Sequence, residues 1–235
     1  MQLPGRIRMM VGSIVAVLVL MAGAITQVKA QELKKQDVRF DASMPRERQI
    51  KLALSSAPAE ISNKASVYIL GPKGYEKVRE GTNGFSCLVG RSFEGATEAS
   101  VDPMCYDAEG SRTLLLVNMR EEELRANGKS EAEIKADIAN GYKEGRFQAP
   151  SKPGFVYMLS GENFIRDPET GKSGAFPGHL MFYAPYMTAK DLGYESVSGA
   201  MMPYLSEPGE PDAMMIIVPA PSEPQDSSDG DSHKH

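Results

Sequence analysis

Tryptophan is absent from the 235 residues, cysteine occurs twice and histidine three times. Each scarcity excludes something. Without tryptophan the best stacking platform for sugars and bases is missing, although nine tyrosines remain. Two cysteines with no CxxC spacing argue against a dithiol oxidoreductase, and the Cys/His supply is too small for a structural zinc site. No Gly-x-Ser-x-Gly elbow surrounds Ser86 or Ser160, so neither serine reads as an activated nucleophile. The net charge is −5, and this acidic balance disfavours phosphate backbones and anionic membranes as partners, since both need clustered Lys and Arg. Nucleic acid is therefore not an expected ligand.

What is present begins with a leader. Arg6 and Arg8 form a basic start, Val11 to Thr26 is mostly apolar, and Val28-Lys29-Ala30 offers small residues where a signal peptidase reads. The apolar run is shorter than the roughly 20 residues that span a bilayer. A cleaved signal peptide over 1–30 is expected, with an uncleaved anchor as the competing reading. There is no twin arginine and no lipoprotein cysteine. After cleavage no stable membrane insertion is expected, and the product is periplasmic or secreted. Gln31 to His235 suffices for one domain with a core and is short for two. We expect an extended segment over 31–44, a single domain over 45–219 and a disordered acidic tail over 220–235, where Pro, Ser, Asp and Gly dominate.

Cys87 and Cys105 both follow the leader. In an oxidising compartment such a pair reads as a bridge, in preference to a metal pair or a reactive thiol. Closing that loop destabilises the unfolded chain by roughly 3 kcal/mol. The expected bridge ties a strand over Phe85–Phe93 to the start of the next helix.

Along the domain, Ser43-Met44-Pro45 opens a helix over Arg46–Ser55. Val67–Leu70 is a short strand closed by Gly71-Pro72-Lys73-Gly74, and Tyr75–Arg79 is an edge strand. A helix is expected over Ala108–Ala126, closed by Asn127-Gly128. The capping box Ser130-x-x-Glu133 starts the next, with Ile134, Ile138 and Tyr142 on one seam. The many carboxylates of this hairpin read as a solvated face. Phe155–Ser160, His179–Ala184 and Ala213–Val218 read as strands, Thr188–Leu192 as one helical turn, and Met201 and Met202 as candidate pocket lining. The fold class is α+β: an antiparallel sheet of about five strands, a helical hairpin inserted mid-chain, helices mostly on one face, and a profilin-like or PAS-like order.

His179 is the one histidine inside the domain, so any general base or metal ligand would use it first. A hydrogen-bonded structural histidine is the plainer reading. Gly171-Lys172-Ser173 ends like a phosphate loop, but Arg166 stands where the leading glycine belongs. His233 and His235, amid acidic residues, make at best a loose metal site. The paired methionines Met201-Met202 and Met214-Met215 read as core filling and not as soft ligands. No metal and no cofactor are expected.

Gly81-Thr82-Asn83-Gly84-Phe85-Ser86-Cys87-Leu88-Val89, Pro103-Met104-Cys105 and His179-Leu180-Met181-Phe182-Tyr183-Ala184-Pro185 resemble signatures of a group of exported bacterial proteins without an assigned activity. Ala126–Ser130 and Tyr157–Ser160 fit the same group, so the likeness covers most of Ile50 to Pro219. It implies export and carries no reaction. The functional expectation is a non-enzymatic domain that binds a small molecule or an envelope protein, with Phe85, Tyr157, His179, Phe182 and Tyr183 around one pocket. The alternative is a hydrolase using His179 with a nearby carboxylate or Ser86; a purely structural envelope component is a third reading.

Overall fold

The computed structural model describes residues 40–91, 100–166, 173–195 and 203–218. The expected leader (1–30), residues 31–39, Gly171-Lys172, Met201-Met202 and the tail (220–235) lie outside the described residues.

The described residues open with α1 (Arg46–Ser55) and a single turn α2 (Ala59–Ser62). A hairpin follows, β1 (Ser66–Gly71) and β2 (Gly74–Arg79), then β3 (Ser86–Gly90) and β4 (Asp102–Tyr106). Three helices come next: α3 (Ala108–Arg112), α4 (Leu114–Ala126) and α5 (Glu131–Lys143). The remainder is β5 (Phe155–Met158), the small hairpin β6 (Phe164–Arg166) and β7 (Ser173–Ala175), β8 (His179–Tyr183), a 3-10 turn (Ala189–Leu192), β9 (Tyr204–Ser206) and β10 (Met214–Ile217). The α+β class is as expected, but the main sheet has eight strands and not about five. Its order is β2-β1-β3-β4-β5-β8-β10-β9, and among the described strands only β1 and β3 pair in parallel.

Three differences from the sequence reading have physical causes. β4 contains Pro103, which donates no ladder hydrogen bond and argues against a central strand; flanking β3 and β5 hold it there regardless. β9 has three residues, too short for a periodic signal. The helix expected over Ala108–Ala126 breaks at Thr113 (φ −123°, ψ −85°), whose hydroxyl donates to the Glu109 carbonyl at 2.7 Å. The hairpin α4–α5 is otherwise as read: Gly128 closes α4 at φ +74°, and Ser130 and Glu133 form the capping box. Ile134 and Ile138 bury against Val117 and Leu124, with Tyr142 packed beside them.

Helices flank both faces, correcting the expectation of mostly one. Strand alternation sorts the core accordingly. On the α1 side lie Leu52, Ala53, Val67, Cys87, Val89 and Cys105. On the other side Leu114 and Leu115 meet Leu88, Met104, Tyr106, Val156 and Met181. Gln49, buried in α1, accepts from the Leu70 amide at 2.7 Å and donates to the Leu70 carbonyl at 3.1 Å, locking the helix to β1. Gly74 (φ +109°) is required where β2 meets α4: a Cβ there would sit 3.2 Å from the Glu123 amide nitrogen.

Candidate binding face

The pairing registers align residues across six strands. Val67, Cys87, Cys105, Tyr157, Leu180 and Ile217 stand side by side on the α1 face. In the neighbouring row Phe155 pairs Phe182, which pairs Met215. Side chains along both rows are apolar except for one phenol. α1 packs against β1, β3 and β4. Beyond it, Phe155, Tyr157, Leu180, Phe182 and Met215 are half-buried and Ile217 is exposed. Four rings adjoin: Phe85 to Tyr157 at 6.3 Å between centroids, Phe155 to Tyr157 edge-on at 4.8 Å, and Phe155 to Phe182 at 5.9 Å. These are the tilted and edge geometries that aromatic quadrupoles favour.

Of the five residues expected around one pocket, the structure brings together Phe85, Tyr157 and Phe182. His179 and Tyr183 fall two residues either side of Met181, on the opposite face. A one-residue offset along a strand reverses the side, which is why adjacent Phe182 and Tyr183 diverge. Phe155 belongs to the group although the sequence reading leaves it out; its i, i+2 spacing from Tyr157 is the available signal.

His179 is 3% exposed. Its Nδ1 lies 2.9 Å from the Pro177 carbonyl oxygen, which fixes the proton on that nitrogen, and its ring meets Phe176 edge-on. Burial lowers its pKa, opposed by the hydrogen bond to Pro177, so the ring is neutral near neutral pH. Ser86 is buried on β3, and β4 and β5 separate it from β8. Three strand spacings amount to about 14 Å, beyond nucleophile–base contact. Ser160 is also buried; its hydroxyl is engaged by the Ser55 hydroxyl at 2.8 Å and the Glu162 amide at 3.1 Å.

Tyr183 is committed internally. Its hydroxyl lies 2.7 Å from Asp107 Oδ1 and 3.0 Å from the Phe155 carbonyl. Burial, then the Asp107 hydrogen bond, raises its pKa. Cys87 and Cys105 form the expected disulfide, but it joins paired strands β3 and β4 and not a strand to a helix start.

The hairpin's carboxylates are not all solvated. Glu122 is 3% exposed and receives both Arg91 and Arg125. A cleft of about 200 Å³ lies beside them, bordered by Leu70, Gly71 and Pro72. A second of about 340 Å³ separates Lys73 and Tyr75 from Leu116 and Met119. Glu121 is pushed up to about 7, mainly by burial, with Asp212 among the acidic groups that add to it. Among the described residues there is no group of three or more His, Cys, Asp or Glu able to hold a metal ion, and no helix long and apolar enough to cross a membrane.

Comparison with protein-family models, with curated proteins and with solved structures finds no match.

Proposed function

We propose that this is a non-enzymatic exported domain that holds a neutral, apolar small molecule against the aromatic face of its sheet. The observation that carries the reading is the run of adjoining rings Phe85, Tyr157, Phe155 and Phe182 at the place where α1 gives way to half-exposed strands. Apolar contact area drives such binding at about 25 cal/mol per Å² before ordering costs. The Tyr157 phenol is the one polar handle along the two rows. The disulfide between Cys87 and Cys105 suits an oxidising compartment, consistent with export.

Titration with the neutral fluorophore N-phenylnaphthylamine tests this reading. The native protein is expected to bind it saturably, with Tyr157→Ala and Phe182→Ala each weakening it about tenfold. Binding that both variants leave unchanged, or no binding at all, would overturn the reading.

A further inference from the structure

The β4–β5 junction of the main sheet is short, as the β1–β3 junction is, and the aromatic face straddles it. β4 connects the half made of β2, β1 and β3 to the half made of β5, β8, β10 and β9. On the β5 side, β4 is held by two registered pairs, Cys105 with Tyr157 and Tyr106 with Val156. Pro103, two residues from Cys105, contributes no amide to a ladder. Phe85 stands on one side of this joint, just before β3, while Tyr157, Phe155 and Phe182 stand on the other. The Phe85–Tyr157 contact at 6.3 Å therefore reaches across β4.

The disulfide stands in the same cross-strand row as Tyr157. Cys87 faces Cys105 with Cα atoms 4.0 Å apart, and Cys105 is itself registered with Tyr157. Both cysteines are 0% exposed. They belong to the buried cluster against which Phe85 and Tyr157 pack. Phe85 is two residues before Cys87, so the two side chains share a face.

We propose that the Cys87–Cys105 disulfide is a positioning element of the binding face, setting the seat of Phe85 on Tyr157 across β4. This rests on the aromatic face being the binding site. The bond fixes β4 to β3 covalently where its attachment to β5 is short, and its two cysteines belong to the buried cluster on which both rings pack. Its loss lets the two halves of the face shift relative to each other while the remaining β3–β4 pairs keep the strands together.

The test compares three full-chain samples: oxidised protein, protein reduced with dithiothreitol, and Cys87→Ala/Cys105→Ala. In reduction the S–S bond gives two thiols and the dithiol closes to its cyclic disulfide. Near-ultraviolet circular dichroism reports folding, and N-phenylnaphthylamine titration reports the face. The reduced and double-variant proteins are expected to stay folded and bind about tenfold more weakly. The Phe85–Tyr157 ring cross-peak in nuclear Overhauser spectra is expected to fade on reduction. A stability control, Glu122→Gln, is expected to bind as the native protein does. Affinity unchanged to within about twofold in the folded reduced protein overturns the positioning role while leaving the binding face intact. Complete unfolding on reduction also overturns it, because the bond then serves global stability. Failure of the oxidised protein to bind removes the face and this inference with it.

Discussion

The Tyr183 hydroxyl donates to the Asp107 carboxylate over 2.7 Å, joining β8 to the residue that caps α3. Asp107 also receives the Gly110 amide at 2.9 Å and the Phe155 amide at 3.2 Å. Gly110 and Gly154 lack side chains where a Cβ would collide with Tyr183 or Asp107. Tyr183→Phe is expected to cost about 1.5–3 kcal/mol, the range for a hydrogen bond to a charged group, in urea denaturation. Because Tyr183 lies on the opposite face from Phe85 and Tyr157, the same variant is expected to bind the fluorophore normally. A loss of binding with unchanged stability would reverse that assignment.

Glu122 joins β3's end to α4 through Arg91 and Arg125, and Arg125 goes on to Glu131 of α5 at 2.8 Å. Removing the shared carboxylate leaves two largely buried guanidinium groups short of a partner. Glu122→Leu is expected to destabilise the fold by about 3 kcal/mol or more, read as a lower denaturation midpoint at unchanged slope.

Two carboxylates of the helical hairpin give opposite pH dependences. Glu121 is raised from 4.5 to about 7, chiefly by burial. Its folded form favours the proton, so its own contribution to stability is fully present below about 4.5 and is lost as pH rises towards 7, by about 1–3 kcal/mol. Asp212 is raised by burial as well and adds in the same direction. Glu133 is lowered to about 2 by the Ser130 amide and then by Lys129. Its contribution is present above 4.5 and lost as pH falls towards 2. Chemical denaturation across pH 4–8 is expected to show declining stability in native protein and a flatter profile in Glu121→Gln. An equally steep decline in the variant would remove Glu121 as its source.

Gly74 combines φ +109° with close approach to the backbone of α4. Gly74→Ala is expected to destabilise by at least about 1 kcal/mol, measured as a lower melting temperature. Gly145 also has a positive φ, +78°, but nothing lies within 4 Å of where its Cβ would stand, so Gly145→Ala isolates the strain of the backbone from that of the contact.

Elements with strong local signals were legible in the sequence. The capping box at Ser130, the closing Gly128, the apolar seam of α5 and the strands around Val67, Phe155, His179 and Ile216 depend on residues near one another in the chain. β4 was hidden by Pro103 and by its dependence on two flanking strands, which no local pattern records. The disulfide was legible from compartment logic, but its partner element was not, because pairing register is a long-range property. The site was half legible for the same reason. Aromatic residues can be picked out, whereas which face each takes follows from register: Phe182 and Tyr183 are neighbours that point opposite ways, and Phe155 joins Tyr157 only once the strand is known. Glu122 reads as one more surface carboxylate until α4, β3 and α5 enclose it.

Chemical-shift mapping tests the aromatic face most directly. Isotope-labelled oxidised protein is titrated with N-phenylnaphthylamine while ring and methyl signals are followed. Saturable shifts are predicted to centre on Phe85, Phe155, Tyr157, Phe182 and Leu180, with Met104 and Leu115 on the opposite face unmoved. Shifts centred instead on Lys73, Leu116 and Met119 at the cleft beside α4, or spread without saturation, would contradict a ligand seated on those rings.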